Sequence, residues 1–204
     1  SHPNNFDDQT YLAYKKIPQL VSHLHLPVQS GSDKILAAMK RGYTVLEYKS
    51  VIRKLKEARP DITFSSDFII GFPGETEEDF LKTIELIKEI DYDQSYSFIY
   101  SKRPGTPAAS LSDNISMKVK KDRLSFLQET INTLSKNKSK NILGKQVEVL
   151  VEGTSSKYSN MVLGRTKNNK VINIPGSKDM IGKILKIEIT ELNNKSLKGE
   201  LLVN

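Results

Sequence analysis

The chain has no cysteine among its 204 residues. That excludes disulfides, cysteine-ligated zinc, thiolate nucleophiles and cysteine-bound iron–sulfur clusters within these residues. No apolar run approaches the roughly 18 residues needed to cross a bilayer. Nor does a charged-then-apolar leader open the sequence, so a soluble, non-secreted, cytoplasmic protein is expected. Aromatic residues are scarce toward the end, where Tyr158 is the only one after residue 140. What remains is adequate for globular packing: 37% of the residues are hydrophobic, and the length suits one large or two smaller domains.

The net charge of +7 is unevenly spread. Residues 1–115 carry 14 Lys/Arg against 16 Asp/Glu, whereas residues 116–204 carry 17 against 8, so the two parts stand at −2 and +9. The second part is therefore the one suited to a polyanion, since a cationic surface attracts phosphates through counterion release without sequence preference.

The first part alternates strand-like and helix-like patterns, the signature of β/α units around a parallel sheet. Residues 23–29 (His23 to Gln29) read as a strand, and Ser32 with Asp33 offers an N-cap for a short helix that Gly42 closes. Thr44 caps the next helix, in which Val45, Leu46, Tyr48, Val51, Ile52 and Leu55 keep a helical period until Pro60. A strand over 62–70 then runs into a helix begun by Thr76 and Asp79, with a buried stripe of Phe80, Ile84, Ile87 and Ile90. Another strand is expected over 94–100, a proline-rich loop over 101–107, and a long polar helix from Ser116 to about Lys140. The Lys/Asn/Ser-rich run over 135–141 marks a boundary, giving domains over 1–138 and 141–204. Beyond it five short strands are predicted, over 146–152, 160–166, 170–174, 183–190 and 196–203, which suggests a small closed barrel. Asn168-Asn169 and Asn193-Asn194 supply its hairpin turns.

The stretch from Ser66 to Thr76 reads as a buried strand passing through a Gly/Pro turn straight into a helix, a junction that holds small-molecule sites in α/β proteins. Side-chain alternation puts Thr63, Ser65, Asp67 and Ile69 on one face and Ile62, Phe64, Phe68 and Ile70 on the other. Asp67 is then placed to accept hydrogen bonds from a ligand's hydroxyls or amino group. Its alternative role is that of a helix cap or a solvated carboxylate.

Four blocks, over 25–32 (His25 to Ser32), 39–42 (Met39 to Gly42), 65–76 (Ser65 to Thr76) and 98–108 (Phe98 to Ala108), together resemble consecutive motifs of the radical S-adenosylmethionine methylthiotransferases. Segments over 151–155, 163–173 and 179–183 are similar to the TRAM domain that ends those enzymes. The resemblance covers nearly the whole chain in order. It implies an α/β fold, the C-terminal portion of a partial (β/α) TIM-like radical SAM barrel followed by a five-stranded all-β TRAM barrel. It further implies a transferase that adds a methylthio group to C2 of N6-isopentenyladenosine beside the anticodon of tRNA. The family uses S-adenosylmethionine and two 4Fe-4S clusters, whose cysteine ligands are absent here, and Ser1-His2-Pro3 resembles the end of an internal strand. The chain is thus expected to be the C-terminal part of a longer protein, inactive by itself, monomeric, off the membrane, and partnered by tRNA and by the N-terminal portion of the same protein.

For the cofactor, the resemblance implies Asp67 at the ribose, Gln29 and Ser30 beside it, Arg41 at the carboxylate, and the backbone of Gly71, Phe72, Pro73 and Gly74 at the adenine. Gln29 as a turn cap, Arg41 as a solvated helix end and Phe72 as core are the structural alternatives. Arg103 either touches the substrate nucleotide or shapes its turn. His25 reads as an inward-facing structural histidine, and no metal ligand set is expected. In the tail, Lys157, Arg165, Lys167, Asn168, Asn169, Lys170 and Asn173 suit a folded RNA backbone, joined by Lys178 and Lys183; with so few aromatics, phosphate and shape contacts fit better than base stacking. Two other readings stand beside the enzyme: a free-standing RNA-binding adaptor with a cofactor-free α/β half, and a sibling methylthiotransferase acting on another substrate.

Overall fold

The computed structural model describes residues 1–156, 158–193 and 196–202, and they divide into two compact units, 1–20 with 24–135, and 21–23 with the residues from 136 onward. Elements follow the order α1 (Asp8–Lys16), β1 (His23–His25), α2 (Asp33–Ala38), α3 (Val45–Ala58), β2 (Thr63–Ile70), α4 (Glu77–Ile90), β3 (Gln94–Ile99) and α5 (Met117–Lys140). Five further strands follow, β4 (Gln146–Thr154), β5 (Met161–Thr166), β6 (Val171–Pro175), β7 (Ile184–Leu192) and β8 (Leu197–Leu201). No described helix is long and apolar enough to cross a membrane.

In the first unit β1, β2 and β3 form one sheet in that order. β2 and β3 run parallel, from Ser65 opposite Gln94 to Ile70 opposite Ile99, with α4 as the crossover a parallel pair requires. Both long crossover helices start on reciprocal capping boxes, Thr44 with Glu47 for α3 and Thr76 with Asp79 for α4. Each cap satisfies orphan N–H groups and is worth about 1 kcal/mol. The α4 stripe of Phe80, Ile84, Ile87 and Ile90 is buried against Leu26, Val28, Phe64, Phe68 and Ile70 of the sheet side. Leu46, expected in the α3 stripe, is instead 76% exposed, because the buried face follows Tyr48, Ile52 and Leu55.

Three sequence expectations change here. The strand over 23–29 keeps ladder pairing only through His25: Pro27 has no N–H to give, and Gln29 rejoins β2 through a single bridge to Phe68. The left-handed residues that close α2 are Lys40 and Gly42, not glycine alone. Ser1-His2-Pro3, read as the end of an internal strand, instead lead into a 3-10 turn over Pro3–Asn5, and α1 follows, its N-cap Asp7 accepting the N–H of Thr10 at 2.8 Å.

In the second unit β4 to β8 close into a barrel with neighbour order β4-β5-β6-β8-β7. Its interior is aliphatic, with Val149, Val151, Val162, Ile172, Ile174, Ile187, Ile189 and Leu197 all buried. Gly164 and Gly199 mark places where strands come too close for a side chain: a Cβ on either would stand 2.6 Å from the carbonyl oxygen of Leu150 or Glu188. Such close approaches belong to a small closed barrel. Asn169, at φ 63°, makes the β5–β6 turn; the Asn193-Asn194 turn lies partly outside the described residues.

Candidate ligand site and nucleic-acid face

β2 presents two unlike faces. Toward the helices, Phe64, Phe68 and Ile70 are buried around Ser66, whose Oγ accepts the N–H of Val28 at 2.9 Å. Beside it Tyr92 donates to Tyr48 at 2.9 Å, and Tyr48 donates to the Leu26 carbonyl at 2.9 Å. The opposite face carries Ser65 and Asp67. There His25 Nδ1 lies 2.9 Å from Ser65 Oγ and His25 Nε2 lies 3.5 Å from Asp67 Oδ2. Register places Tyr96 opposite Asp67 and Phe98 opposite Ile69, and these two rings are 56% and 55% exposed. Neither ring was singled out from sequence, although strict alternation within Gln94–Ile99 puts both on the Asp67 face.

Four residues past β1, Gln29 adopts φ 75°, its N–H donating to the Asp67 carbonyl and its own carbonyl accepting from the Ile69 N–H, 2.9 and 3.0 Å. The backbone bonds hold Gln29 directly beside Asp67 and leave its carboxamide for another partner. A positive φ at a non-glycine residue costs about 1 kcal/mol and often accompanies a functional constraint. Arg41 approaches the same strand end through Tyr43: its Nε donates to the Tyr43 hydroxyl at 3.1 Å, and that hydroxyl donates to the Val28 carbonyl at 3.1 Å. Ser30 is 1% exposed, and its Oγ accepts the N–H of Ser32 and lies 3.4 Å from Thr83 Oγ1, so its hydroxyl braces the loop.

The turn after β2 is built tightly. Gly71 and Gly74 take φ +70° and +84°. Phe72 is buried with its ring edge-on to Tyr100 at 5.0 Å, and its carbonyl accepts the Glu75 N–H. Lys34 caps the Gly74 carbonyl at 2.9 Å. Of the four turn residues, Gly71, Phe72 and Pro73 are buried and only Gly74 is exposed, so the ring of Phe72 is packing and the open backbone is at Gly74.

Asp79 joins the two loops. It accepts from Ser32 Oγ at 2.7 Å, from Lys34 Nζ at 2.9 Å and from the N–H of Thr76 at 3.0 Å. Burial by itself would raise its pKa, but these donors outweigh it and hold the carboxyl well below the ordinary range. A group so depressed stabilises the fold fully above its unfolded pKa, and that contribution fades as pH falls below it.

A carboxylate beside a carboxamide, with a cation near the same strand end and an exposed glycine in the turn that follows, is a set of groups suited to a polar ligand. The same residues do not fit a cysteine-ligated iron–sulfur cluster, since the chain contains no cysteine. Arg103 lies in the exposed loop after β3, where its carbonyl accepts both the N–H and the hydroxyl of Thr106. The Arg103 backbone therefore shapes the turn.

On the barrel, Lys167, Lys178 and Lys183 are exposed. Arg165 is half-engaged, giving Nε to Glu152 at 3.0 Å and Nη1 to Asn169 at 2.9 Å. Asn168 donates to the Ser22 carbonyl at 3.1 Å, and Lys170 donates its N–H to Thr166 Oγ1 at 3.1 Å. Asn173, expected among the RNA-facing residues, is instead 3% exposed, and its Oδ1 accepts the Ser155 hydroxyl. Lys157 lies outside the described residues.

Comparison with known proteins finds the Radical SAM superfamily over residues 2–87 and the TRAM domain over residues 140–202. Proteins named tRNA-2-methylthio-N(6)-dimethylallyladenosine synthase from Francisella tularensis subsp. novicida and subsp. tularensis are each 55% identical over 202 residues, 99% of this chain and 46% of the relative. The chain thus spans about half the length of the curated relatives it matches. A solved structure of a conserved protein from Methanococcus maripaludis is 20% identical, covers 30% of this chain and 80% of its own, and gives a TM-score of 0.26.

Proposed function

We propose that this chain, which carries a radical SAM segment followed by a TRAM domain, is the C-terminal part of a tRNA-2-methylthio-N6-dimethylallyladenosine synthase of the MiaB type. In that reading the full-length protein is a cytoplasmic transferase that converts N6-isopentenyladenosine beside the anticodon to its 2-methylthio derivative. The observation that carries it is the placement of Asp67 and Gln29 together at one end of the sheet, next to the Gly71–Gly74 turn, in a chain 55% identical to proteins of that name.

S-adenosylmethionine, when bound, supplies the reactive group. The residues of this chain bind and orient it. Asp67 accepts from the ribose hydroxyls; the Gln29 carboxamide reaches the same ribose or the methionyl group; Arg41, steered by Tyr43, pairs with the carboxylate, a role suited to a planar cationic fork. Backbone at Gly74 meets the adenine edge. Tyr96 and Phe98 extend this face with aromatic surface that shields the reacting atoms from water once the site is closed. Arg103 takes the substrate nucleotide.

Mass spectrometry of tRNA from cells lacking the intact gene tests the reading: the methylthio mark is expected to vanish and N6-isopentenyladenosine to accumulate. Persistence of the mark would overturn it.

The barrel would hold the tRNA through Arg165, Lys167, Lys170 and the Asn168-Asn169 turn, mostly by phosphate contacts. Reversing two charges, Arg165→Glu with Lys167→Glu, is expected to weaken tRNA binding at least about tenfold at moderate salt and to flatten the slope of log K against log salt by about 2. Filter binding across a salt series reads both, and an unaltered slope would remove this face from the interface.

A further inference from the structure

We infer that Arg123 and Glu75 act as a pair of positioning residues that fix the Gly71–Gly74 backbone in the shape an adenosyl ligand requires; the inference rests on the S-adenosylmethionine reading above. Glu75 ends the turn, and its side chain is 1% exposed. Its Oε2 accepts the Gly71 N–H at 2.9 Å, closing the turn across four residues while Gly71 holds its left-handed φ. The same oxygen accepts Arg123 Nη1 at 2.9 Å, and that nitrogen also lies 3.3 Å from the Glu75 carbonyl. Arg123 then turns its other edge to Glu77, at the first position of α4, with Nε and Nη2 at 3.1 and 2.9 Å from Oε2. One guanidinium therefore pins both ends of the turn-to-helix junction.

A second residue of α5 completes the clamp. Lys120, one helical turn before Arg123, lays its stem over Gly71, where a Cβ would come within 2.5 Å of its Cγ, and pairs its ammonium with Asp113 at 2.6 Å. Glycine at 71 thus serves the backbone conformation and the close approach of this stem together.

Stability alone is a poor reason for such a network. A buried ion pair is often matched or bettered by apolar side chains of similar size. Here the carboxylate is further penalised: its Oε1 has no hydrogen-bond donor, and burial raises its pKa against the opposing pull of the Gly71 N–H and Arg123. What the pair provides that packing would not is an acceptor aimed at one backbone N–H, locked from a helix distant in sequence. That is geometry control, and it acts on the turn beside Asp67.

The test uses the full-length protein that contains this chain, with its clusters reconstituted, titrated calorimetrically with S-adenosylhomocysteine, each variant's melting temperature being recorded without ligand. Arg123→Ala is expected to weaken binding about tenfold or more, and Arg123→Lys, which keeps the charge but loses the fork, about threefold. Adding Glu75→Gln to Arg123→Ala is expected to restore affinity to within about threefold of the wild type, because a neutral carboxamide still accepts the Gly71 N–H without a cation. Asp67→Ala serves as the marker of the ligand site. If Asp67→Ala loses binding while Arg123→Ala retains it, the site stands and the positioning role is overturned. A folded double variant that binds no better than Arg123→Ala overturns it too. If the wild type does not bind, or neither single variant alters binding, the ligand reading itself falls and takes this inference with it. Should Arg123→Ala fail to fold, Arg123→Lys and the double variant carry the decision.

Discussion

Asp67→Ala in the full-length protein is expected to weaken S-adenosylhomocysteine binding by about a hundredfold while leaving the melting temperature within a few degrees of wild type. The two halves of that result have separate causes. A carboxylate that accepts two ribose hydroxyls contributes charge-assisted hydrogen bonds of about 1.5 kcal/mol or more each, and their joint loss is on the order of a hundredfold in affinity. Asp67 adds little to the fold by comparison: its side chain is 28% exposed, it sits on the face away from the core, and its ion pair with His25 is a long one at 3.5 Å. Substitutions at such positions usually stay within about 0.5 kcal/mol. Asp67→Asn keeps one acceptor and is expected to fall between the two. Calorimetry and thermal melts read both quantities, and a folded Asp67→Ala protein that binds like wild type would disprove the ribose assignment.

The second large effect concerns stability. Gly31→Ala is expected to cost about 3 kcal/mol, at the upper end of the usual penalty for overpacking. Gly31 donates its N–H to Thr83 Oγ1 at 2.9 Å, and its α-carbon lies so close to α4 that an added Cβ would stand 2.6 Å from Thr83 Cα and nearer still to the Lys82 carbonyl oxygen. These are backbone atoms, so no side chain can swing aside. The loop between β1 and α2 would have to lift off α4, dragging with it Ser32, which bonds Asp79, and loosening Gln29. A urea denaturation series would show the midpoint falling with the slope unchanged. An unshifted midpoint would mean that the loop yields freely.

Much of this architecture was legible in the residues themselves. The Thr44 cap, the Thr76 and Asp79 start of α4, the α4 stripe, the two faces of β2 and the five barrel strands follow from local rules whose partners lie within a few positions. Legibility failed where the deciding partner is remote. α1 is weakly amphipathic and buries none of its residues, so it offers no stripe to read. The Ser30 hydroxyl meets Thr83, 53 residues away in sequence. Asn173 looked like a surface amide, yet alternation along Val171–Pro175 and the closure of the barrel turn it inward. Arg123 and Lys120 read as polar members of a long helix, and nothing near them in sequence announces that they grip a turn about 50 positions earlier. At the site, Asp67 was legible as a residue of the polar face of β2, but Gln29 falls beyond the end of β1, and the contacts that seat the two beside each other appear only in three dimensions.

The sheet and the barrel also differ in how safely they can be handled. A closed barrel has no unpaired strand flank, whereas β3 hydrogen-bonds β2 on one side and, among the described residues, pairs with no strand on the other. Its sequence, Gln94 to Ile99, carries no charge, no proline and two largely exposed rings, which is the make-up of a segment that recruits further strands. Self-association of these 204 residues in isolation would therefore begin at β3, and a lysine introduced there is the natural first remedy for insoluble expression.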